Sequence, residues 1–312
     1  MMVYLYLFEA KSIQSYLFKS GKLKDVIAAS ERLDLLVDDV PNSTLNKVLK
    51  SAELSSDLLD AQDTSADIHF IRCKGGAFYC YSNTKASLLS LRSAWTLTLQ
   101  QMFPSLDFVD AFVTENNLQE ALKIGHRELA ADRNTPKIKF PLASTINSRY
   151  TRTGQAAVPL STMAKRAGKN GDNLDLDTDL HRQAYQNFTM RENAALQDKF
   201  TPKSLINDKN DNRKIYYPID LENNFQYSAP SAIKRAQKEA IKDMALIHID
   251  GNGLGLLLKA LQIALKDKNS QEYCQAFRGF SQALTTATQL AAQEATQWLY
   301  ENAVYQLEGC DK

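Results

Sequence analysis

Two short runs of alternating apolar residues flank a Lys-Gly-Gly tripeptide, and this pattern constrains the fold of the 312-residue chain more than any other. The runs cover residues 68–73 and 77–82, with Gly75 and Gly76 between them. Alternation is typical of strands with one buried face, and glycine allows the positive φ of a tight turn. The segment therefore predicts a β-hairpin.

The elements predicted around this hairpin define a fold class. Strands are predicted where β-branched and aromatic residues are dense, and helices where apolar residues recur at helical spacing. In chain order they are a strand at residues 3–9, helices at 12–19 and 24–40, the hairpin, a helix at 88–102, a strand at 108–114 and a helix at 118–131. This order predicts an α+β protein with a ferredoxin-like βαββαβ domain over residues 1–131.

The composition of residues 132–232 predicts an irregular connector, because polar residues dominate this segment and apolar periodicity nearly vanishes in it. Within it, Asp175, Asp177 and Asp179 alternate like the start of a calcium-binding loop. Leu180 stands where such a loop has Gly, and Gln186 where it has Glu. We therefore expect a solvated acidic loop here and not a calcium site.

A second organising stretch, residues 244–258, joins an apolar run to a glycine-rich turn and a helical pattern. Asp250 falls where the predicted strand ends. A carboxylate at this place suits Mg²⁺, and backbone amides that open a helix suit the phosphates of a nucleoside triphosphate. The nucleotide-binding residues predicted here are Gly251, Asn252, Gly253, Leu254 and Gly255. The alternative is an ordinary strand–turn–helix connection.

The two ends of the chain share one pattern. Residues 4–14 align without a gap to residues 245–255, which places Glu9 opposite Asp250. Each segment is an apolar strand, an acid at its end, a small residue and a helix, as expected of a duplicated unit. Residues 233–312 are thus expected to form the N-terminal part of a second unit, whose own hairpin would fall just past residue 312.

Composition excludes several classes of function. The net charge is +1, so the overall charge of the chain does not by itself indicate binding to nucleic acid. No apolar stretch is long enough to span a bilayer. The four cysteines include no C-x-x-C pair, so no zinc site is expected and a reduced, cytoplasmic protein is the default.

Basic residues nevertheless cluster locally. One cluster covers residues 19–24, and the other comprises Arg149, Arg152, Lys165 and Arg166. Such clusters form either a solvated face or a contact with RNA, for which Tyr150 is a candidate stacking partner. A long helical pattern at residues 271–302 is expected to be mostly core against the sheet, with a remaining apolar strip that suits a partner subunit.

Four segments carry a family resemblance. They are residues 8–35, 72–79, 149–158 and 249–255. In order and spacing they resemble segments of the large subunit of type III CRISPR effector complexes. The resemblance implies two palm domains related to GGDEF-type nucleotide cyclases. It also implies that the second palm makes cyclic oligoadenylates from ATP with two Mg²⁺ or Mn²⁺ ions in antiviral defence, after guide and target RNA have assembled with the other subunits.

The resemblance assigns residues and also shows departures. Asp250 matches one metal ligand, and Ser30 matches a position that faces nucleotide across the palm–palm interface, with helix packing as the alternative. The family's Gly-Gly-Asp-Asp hairpin is absent, since Ala77 and Phe78 follow the only Gly-Gly pair. The 312 residues contain no His-Asp dipeptide and no cysteines near Arg149, so we expect neither the family's HD nuclease nor its zinc site in this chain.

We therefore expect a fragment that is inactive alone and whose first palm is non-catalytic. The parent protein would be a metal-dependent nucleotidyl cyclase. The alternative is a non-catalytic scaffold that binds RNA and protein partners.

Overall fold

The computed structural model describes residues 2–135, 146–158, 173–189, 199–206, 226–227, 239–240 and 253–302. The chain divides into two compact units. The first comprises Met1–Ala184 with Gly255–Ser281, and the second comprises Tyr185–Leu254 with Gln282–Lys312. The domain boundaries predicted near residues 131 and 232 stay predictions.

The first unit is built on a four-stranded antiparallel sheet with the strand order β2-β3-β1-β4. The strands are β1 (Val3–Lys11), β2 (His69–Lys74), β3 (Ala77–Ser82) and β4 (Asp107–Glu115). Helices separate β1 from β2 and β3 from β4, and a tight turn joins β2 to β3. This is the ferredoxin-like βαββαβ arrangement, so the α+β class predicted from the sequence is confirmed.

The helices of this domain follow the predicted order. They are α1 (Ile13–Leu17), α2 (Leu23–Val37), α3 (Thr44–Ser51), α4 (Lys85–Met102) and α5 (Leu118–Arg133). The remaining described elements are α6 (Leu176–Thr189), α7 (Lys203–Ile206), β5 (Gln226–Tyr227), β6 (Glu239–Ala240), α8 (Leu254–Ala264) and α9 (Ser270–Asn302). None of the described helices combines the length and the apolar character needed to cross a membrane.

β1 lies in the middle of the sheet, and both of its faces are covered. Tyr6 and Phe8 point into a core built with α2, α3 and α4, whereas Leu5 and Leu7 point into a second core. In the first core, Phe8 stacks on Phe78 with ring centroids 5.3 Å apart and meets the edge of Trp95 at 5.2 Å. Burying each of these large rings stabilises the fold by about 1.5–3 kcal/mol.

The second core depends on a close approach between α5 and β1. Gly125 makes this approach possible, because a Cβ at that position would lie 2.4 Å from Cδ1 of Leu7. The start of α9 also contributes to this core through Tyr273 and Cys274. The sheet of the first unit is therefore buried on both faces.

Two expectations about the rest of the chain are wrong. The segment predicted as an irregular connector contains α6, a helix of 14 residues. The long helix α9 is not mostly core, since Leu284, Leu290 and Trp298 are exposed. Leu284 and Leu290 are six residues apart and therefore lie on different faces of a helix, so they cannot share one buried stripe.

Candidate functional site

The candidate site of the first unit lies where β1 ends beside the β2–β3 turn. Glu9 pairs with Ala77 in the β1–β3 ladder, and the amide of Ala10 donates to the carbonyl of Gly76 at 2.9 Å. An acid at a strand end thus stands next to a Gly-Gly hairpin.

The carboxylate of Glu9 is already occupied by protein partners. The hydroxyl of Tyr79 donates to Oε1 of Glu9, and the guanidinium of Arg133 donates to Oε2. Glu9 itself is buried, while Arg133, the last residue of α5, is exposed. Two donors therefore satisfy both oxygens of the carboxylate and neutralise its charge.

Two further side chains lie next to the Tyr79 ring. The guanidinium carbon of Arg72 lies 5.5 Å from the centre of the Tyr79 ring, and the His126 ring meets it edge-on at 5.2 Å. Burial, followed by the hydrogen bond to Glu9, raises the pKa of Tyr79, so its hydroxyl stays protonated and remains a donor. Partial burial lowers the pKa of His126.

Backbone geometry and close packing explain the two glycines of the β2–β3 turn. Gly75 and Gly76 both have positive φ, at 64° and 73°. A Cβ on Gly76 would lie 3.2 Å from Ile13 and 3.3 Å from Ala10. Turn geometry and the close approach of α1 thus explain the pair without a phosphate ligand.

This site does not fit a divalent metal. The next side chain after the turn, Ala77, is apolar and buried, and Glu9 faces a guanidinium. Within the ranges that the structure describes, no group of three or more His, Cys, Asp or Glu residues could hold a metal ion.

The predicted site of residues 250–255 is described only in part. Asp250, Gly251 and Asn252 lie outside the described residues. Gly253 has a φ of 79°, and α8 begins at the next residue, Leu254, which matches the predicted turn and helix. Ser30 lies exposed on α2. Whether these residues bind nucleotide stays a prediction.

The second basic cluster is also described in part. Lys165 and Arg166 lie outside the described residues, whereas Arg149 and Arg152 are exposed. These two arginines lie in a tight turn closed by a bridge between Arg149 and Ala156. Tyr150 is only 1% exposed, so the expectation that it stacks on a base is wrong. Its ring packs on Leu174 instead.

The alternating aspartates are not a solvated loop, because α6 begins at Leu176 and all three are buried. Oδ1 of Asp175 accepts from the amide of Thr178 at 2.8 Å, which caps the helix. Burial raises the pKa of Asp177 to about 6, while Lys19 and Arg32 act in the opposite direction. The segment resembles a calcium-binding loop in sequence because helix capping and calcium binding both use aspartate.

A cluster that the sequence did not indicate joins α9 to the segment before β2. Asp57 accepts from the amide of Phe70 at 2.8 Å, approaches Nδ1 of His69 at 3.1 Å, and lies 3.1 Å from the guanidinium of Arg278. A cavity of about 70 Å³ adjoins these residues, with Tyr81 and Cys274 also in its wall. Burial raises the pKa of Cys274, so this thiol is not a nucleophile at neutral pH.

Comparisons with known proteins give structural likenesses only. No protein-family model and no curated protein matches the chain. Among solved structures, it is similar to a Csm1-Csm4 cassette in complex with cA3, with 23% identity and a TM-score of 0.29. It is also similar to the apo cassette, with 22% identity and the same TM-score, and to the cassette in complex with pppApApA, with 20% identity and again a TM-score of 0.29.

The aligned part covers 42% of this chain in each case and 18–19% of the matched chains. The chain thus spans less than a fifth of the length of those relatives. A TM-score of 0.29 is too low for two folds to be equated, so the fold assignment made above rests on strand order and register alone.

Proposed function

We propose that this chain is part of a palm-type subunit of a type III CRISPR effector complex, in which the first palm is structural and Asp250 ligates metal in the second. The observation that carries the proposal is the position of Glu9. It stands at the end of the central strand, beside a Gly-Gly hairpin, in a ferredoxin-like sheet of palm topology. The gap-free alignment of residues 4–14 with residues 245–255 sets Asp250 opposite Glu9.

The two acids have different roles in this proposal. Glu9 holds Arg133 and Tyr79 and so fixes the end of α5 to the sheet. Asp250 holds Mg²⁺ or Mn²⁺, and the amides between Gly251 and Gly255 hold the phosphates of ATP. The metal supplies charge neutralisation for phosphoryl transfer, and the second set of carboxylates comes from a hairpin that these 312 residues do not contain.

The second candidate function is a scaffold without catalysis. One observation favours it, namely that the candidate site of the first palm is filled by an internal ion pair. In that case both palms would serve only to hold RNA and protein partners. The two candidates differ in whether ATP is consumed.

Synthesis of oligoadenylates separates these candidates. The full-length protein, assembled with its RNA and partner subunits, is incubated with ATP and Mg²⁺, and products are resolved by chromatography and mass spectrometry. We expect cyclic oligoadenylates from the wild type and from Glu9→Gln, and a loss of at least about 100-fold in Asp250→Ala.

The matched control is Asp267→Ala, which removes an exposed carboxylate just after α8. It should keep wild-type synthesis. Equal product from Asp250→Ala and Asp267→Ala would refute the metal role of Asp250. Absence of product from the wild-type complex would favour the scaffold.

A further inference from the structure

We propose that a cavity in the first unit binds a neutral amide group, either the carboxamide of a small aromatic molecule or the lactam edge of a free nucleobase. The cavity has a volume of about 70 Å³ and is called here the Asp57 cavity. Its wall includes Asp57, Ala61, His69, Tyr81, Cys274 and Arg278, all of which belong to the first unit. Binding at this cavity requires neither Asp250 nor ATP and so does not rest on the function proposed above.

Two segments that are far apart in sequence form the wall. One runs from Asp57 to His69, the first residue of β2, and the other is the start of α9, with Cys274 and Arg278. Arg278 joins the two, because its guanidinium donates to the carbonyls of Asp57 and Leu58. The polar groups of the wall are therefore fixed before a ligand arrives, which reduces the entropy lost on binding.

Arg278 supplies a buried hydrogen-bond donor. Its two terminal nitrogens have acceptors, whereas its Nε is buried and has no acceptor among the residues that the structure describes. The side chain is only 6% exposed. A buried N–H without an acceptor is unfavourable, so a ligand carbonyl oxygen that accepts from it gains that free energy.

His69 supplies a hydrogen-bond acceptor. Nδ1 of His69 lies 3.1 Å from Oδ2 of Asp57. The Asp57 carboxylate pairs with a guanidinium and can only accept, so Nδ1 carries the proton of the neutral ring. The other ring nitrogen, Nε2, is then unprotonated and can accept from a ligand N–H. A donor and an acceptor in one wall match the C=O and the N–H of a single amide group.

The buried groups of the wall carry no net charge. The carboxylate of Asp57 is balanced by the guanidinium of Arg278, 3.1 Å away. Burial raises the pKa of Tyr81 and the pKa of Cys274, so the hydroxyl and the thiol both stay protonated at neutral pH. Asp63 is also in the wall, but its side chain reaches solvent, which screens its charge. An ion that leaves water needs an opposite charge, so a neutral ligand is favoured over an anion or a cation.

The volume limits which part of a ligand enters. A cavity of about 150 Å³ holds one benzene molecule, so a cavity of about 70 Å³ holds a group of about three heavy atoms, the size of a carboxamide. The ring of Tyr81 lies 5.1 Å from the ring of His69, at an angle of 31°, and gives the wall a flat part for a planar group. The rest of a larger ligand would lie outside, near the exposed residues Thr64 and Gln271.

Ligand-observed NMR with the whole 312-residue chain tests this assignment by saturation transfer. The probes are benzamide, benzoate and benzylamine, which share one ring and differ in carrying a neutral amide, a negative charge and a positive charge. We expect benzamide to bind with a Kd of about 1 mM, and the two ions to bind at least about ten-fold more weakly. The tighter binder of nicotinamide and uracil then identifies a ring carboxamide or a nucleobase lactam as the source of the amide.

Two variants change the Asp57 cavity in different ways. Ala61→Leu fills it and should weaken benzamide binding at least about ten-fold. The matched control is Gln62→Leu, at the neighbouring exposed residue, which should bind benzamide like the wild type. His69→Phe keeps an aromatic ring and removes the acceptor, so it should weaken benzamide binding about ten-fold. Circular dichroism shows which variants fold, and His69→Phe remains a test if Ala61→Leu does not.

Four results would overturn the assignment. The first is an absence of saturation transfer to benzamide at about 10 mM, ten times the expected Kd. The second is equal binding of benzamide by Ala61→Leu and Gln62→Leu, which would place the amide elsewhere. The third is benzoate or benzylamine binding as tightly as benzamide, because the site would then select charge. The fourth is wild-type affinity in His69→Phe, which would leave the amide N–H without the acceptor assigned to it.

Discussion

The guanidinium of Arg278 lies 3.1 Å from the carboxylate of Asp57, although 221 residues separate them in the sequence. Arg278 also donates to the backbone carbonyls of Asp57 and Leu58, both at 2.9 Å. Both side chains are almost fully buried. The start of α9 is thereby fastened to the segment that leads into β2, within the first unit.

Replacing Arg278 by Met should destabilise the first unit by about 3–5 kcal/mol, because the substitution leaves the buried Asp57 carboxylate without its guanidinium partner and two carbonyls without their donor. The free energy of unfolding is measured by urea titration followed by circular dichroism. Arg127→Met, at an exposed position of α5, is the control and should change stability by less than about 0.5 kcal/mol. Equal stability of the two variants would show that this contact does not hold α9.

Gly125→Ala should destabilise the protein by about 1–3 kcal/mol, since the added methyl group would overlap the Leu7 side chain. At an ordinary helical position the same change stabilises by about 1 kcal/mol. The sign of the effect is therefore diagnostic. The reverse substitution at exposed Ala130, Ala130→Gly, calibrates helix propensity in α5, and a stabilised Gly125→Ala would contradict the close approach of α5 to β1.

His181 should make the protein sensitive to acid. Nη1 of Arg32 lies 2.8 Å from Nδ1 of His181, and a guanidinium can only donate, so Nδ1 must be unprotonated. Burial, with help from Arg32 and Lys19, lowers the pKa of His181 to about 3. The unfolded chain takes up this proton near pH 6.5, so stability should fall as pH decreases from about 6.5 to 3, by at most about 1.4 kcal/mol per pH unit.

The measurement for His181 is the free energy of unfolding against pH in the wild type and in His181→Gln. The free energy of unfolding of the variant should depend less on pH than that of the wild type below about pH 6.5. Parallel curves for the two proteins would show that His181 binds its proton equally in both states.

Asp177 should give stability a pH dependence opposite to that from His181. Its folded pKa is about 6, well above the ordinary value near 3.9, because burial disfavours the charged carboxylate. The folded state therefore binds the proton more tightly, and stability should fall as pH rises from about 4 to 6. Asp177→Asn should remove this decline and gain stability relative to the wild type above about pH 6. A gain that is the same at pH 4 and pH 7 would contradict the raised pKa.

ATP with Mn²⁺ at millimolar concentration should raise the melting temperature of the 312-residue chain if Asp250 and the following amides form a preformed site. The shift should persist in Glu9→Gln, whose melting temperature starts lower because Arg133 loses its partner, and should vanish in Asp250→Ala. Differential scanning fluorimetry with ATP alone and Mn²⁺ alone provides the controls. An unchanged melting temperature of the wild type would count against a preformed site.

The parts of the fold that depend on local pattern could be predicted from the sequence. The Gly75–Gly76 turn and its flanking strands follow from backbone freedom and alternation, which are properties of neighbouring residues. Local chemistry was sufficient for these elements.

The parts that depend on distant partners could not be predicted. Nothing near Asp177 in the sequence shows that Lys19 and Arg32 lie beside it, so its segment was assigned to a solvated loop. Tyr150 was assigned to a surface for the same reason, although the fold buries it on Leu174. Long-range contacts decide whether a polar or aromatic side chain is exposed, and single-sequence periodicity carries no information about them.

The ion pair between Glu9 and Arg133 has an evolutionary consequence. Building a metal-binding centre at this strand end would require loss of the Arg133 guanidinium together with carboxylates in place of Ala77 and Phe78. Each change alone is harmful, since it leaves either an unpaired buried acid or a charge in the aromatic core around Phe78. Several simultaneous substitutions would therefore be needed to place a set of metal-binding carboxylates at the end of β1.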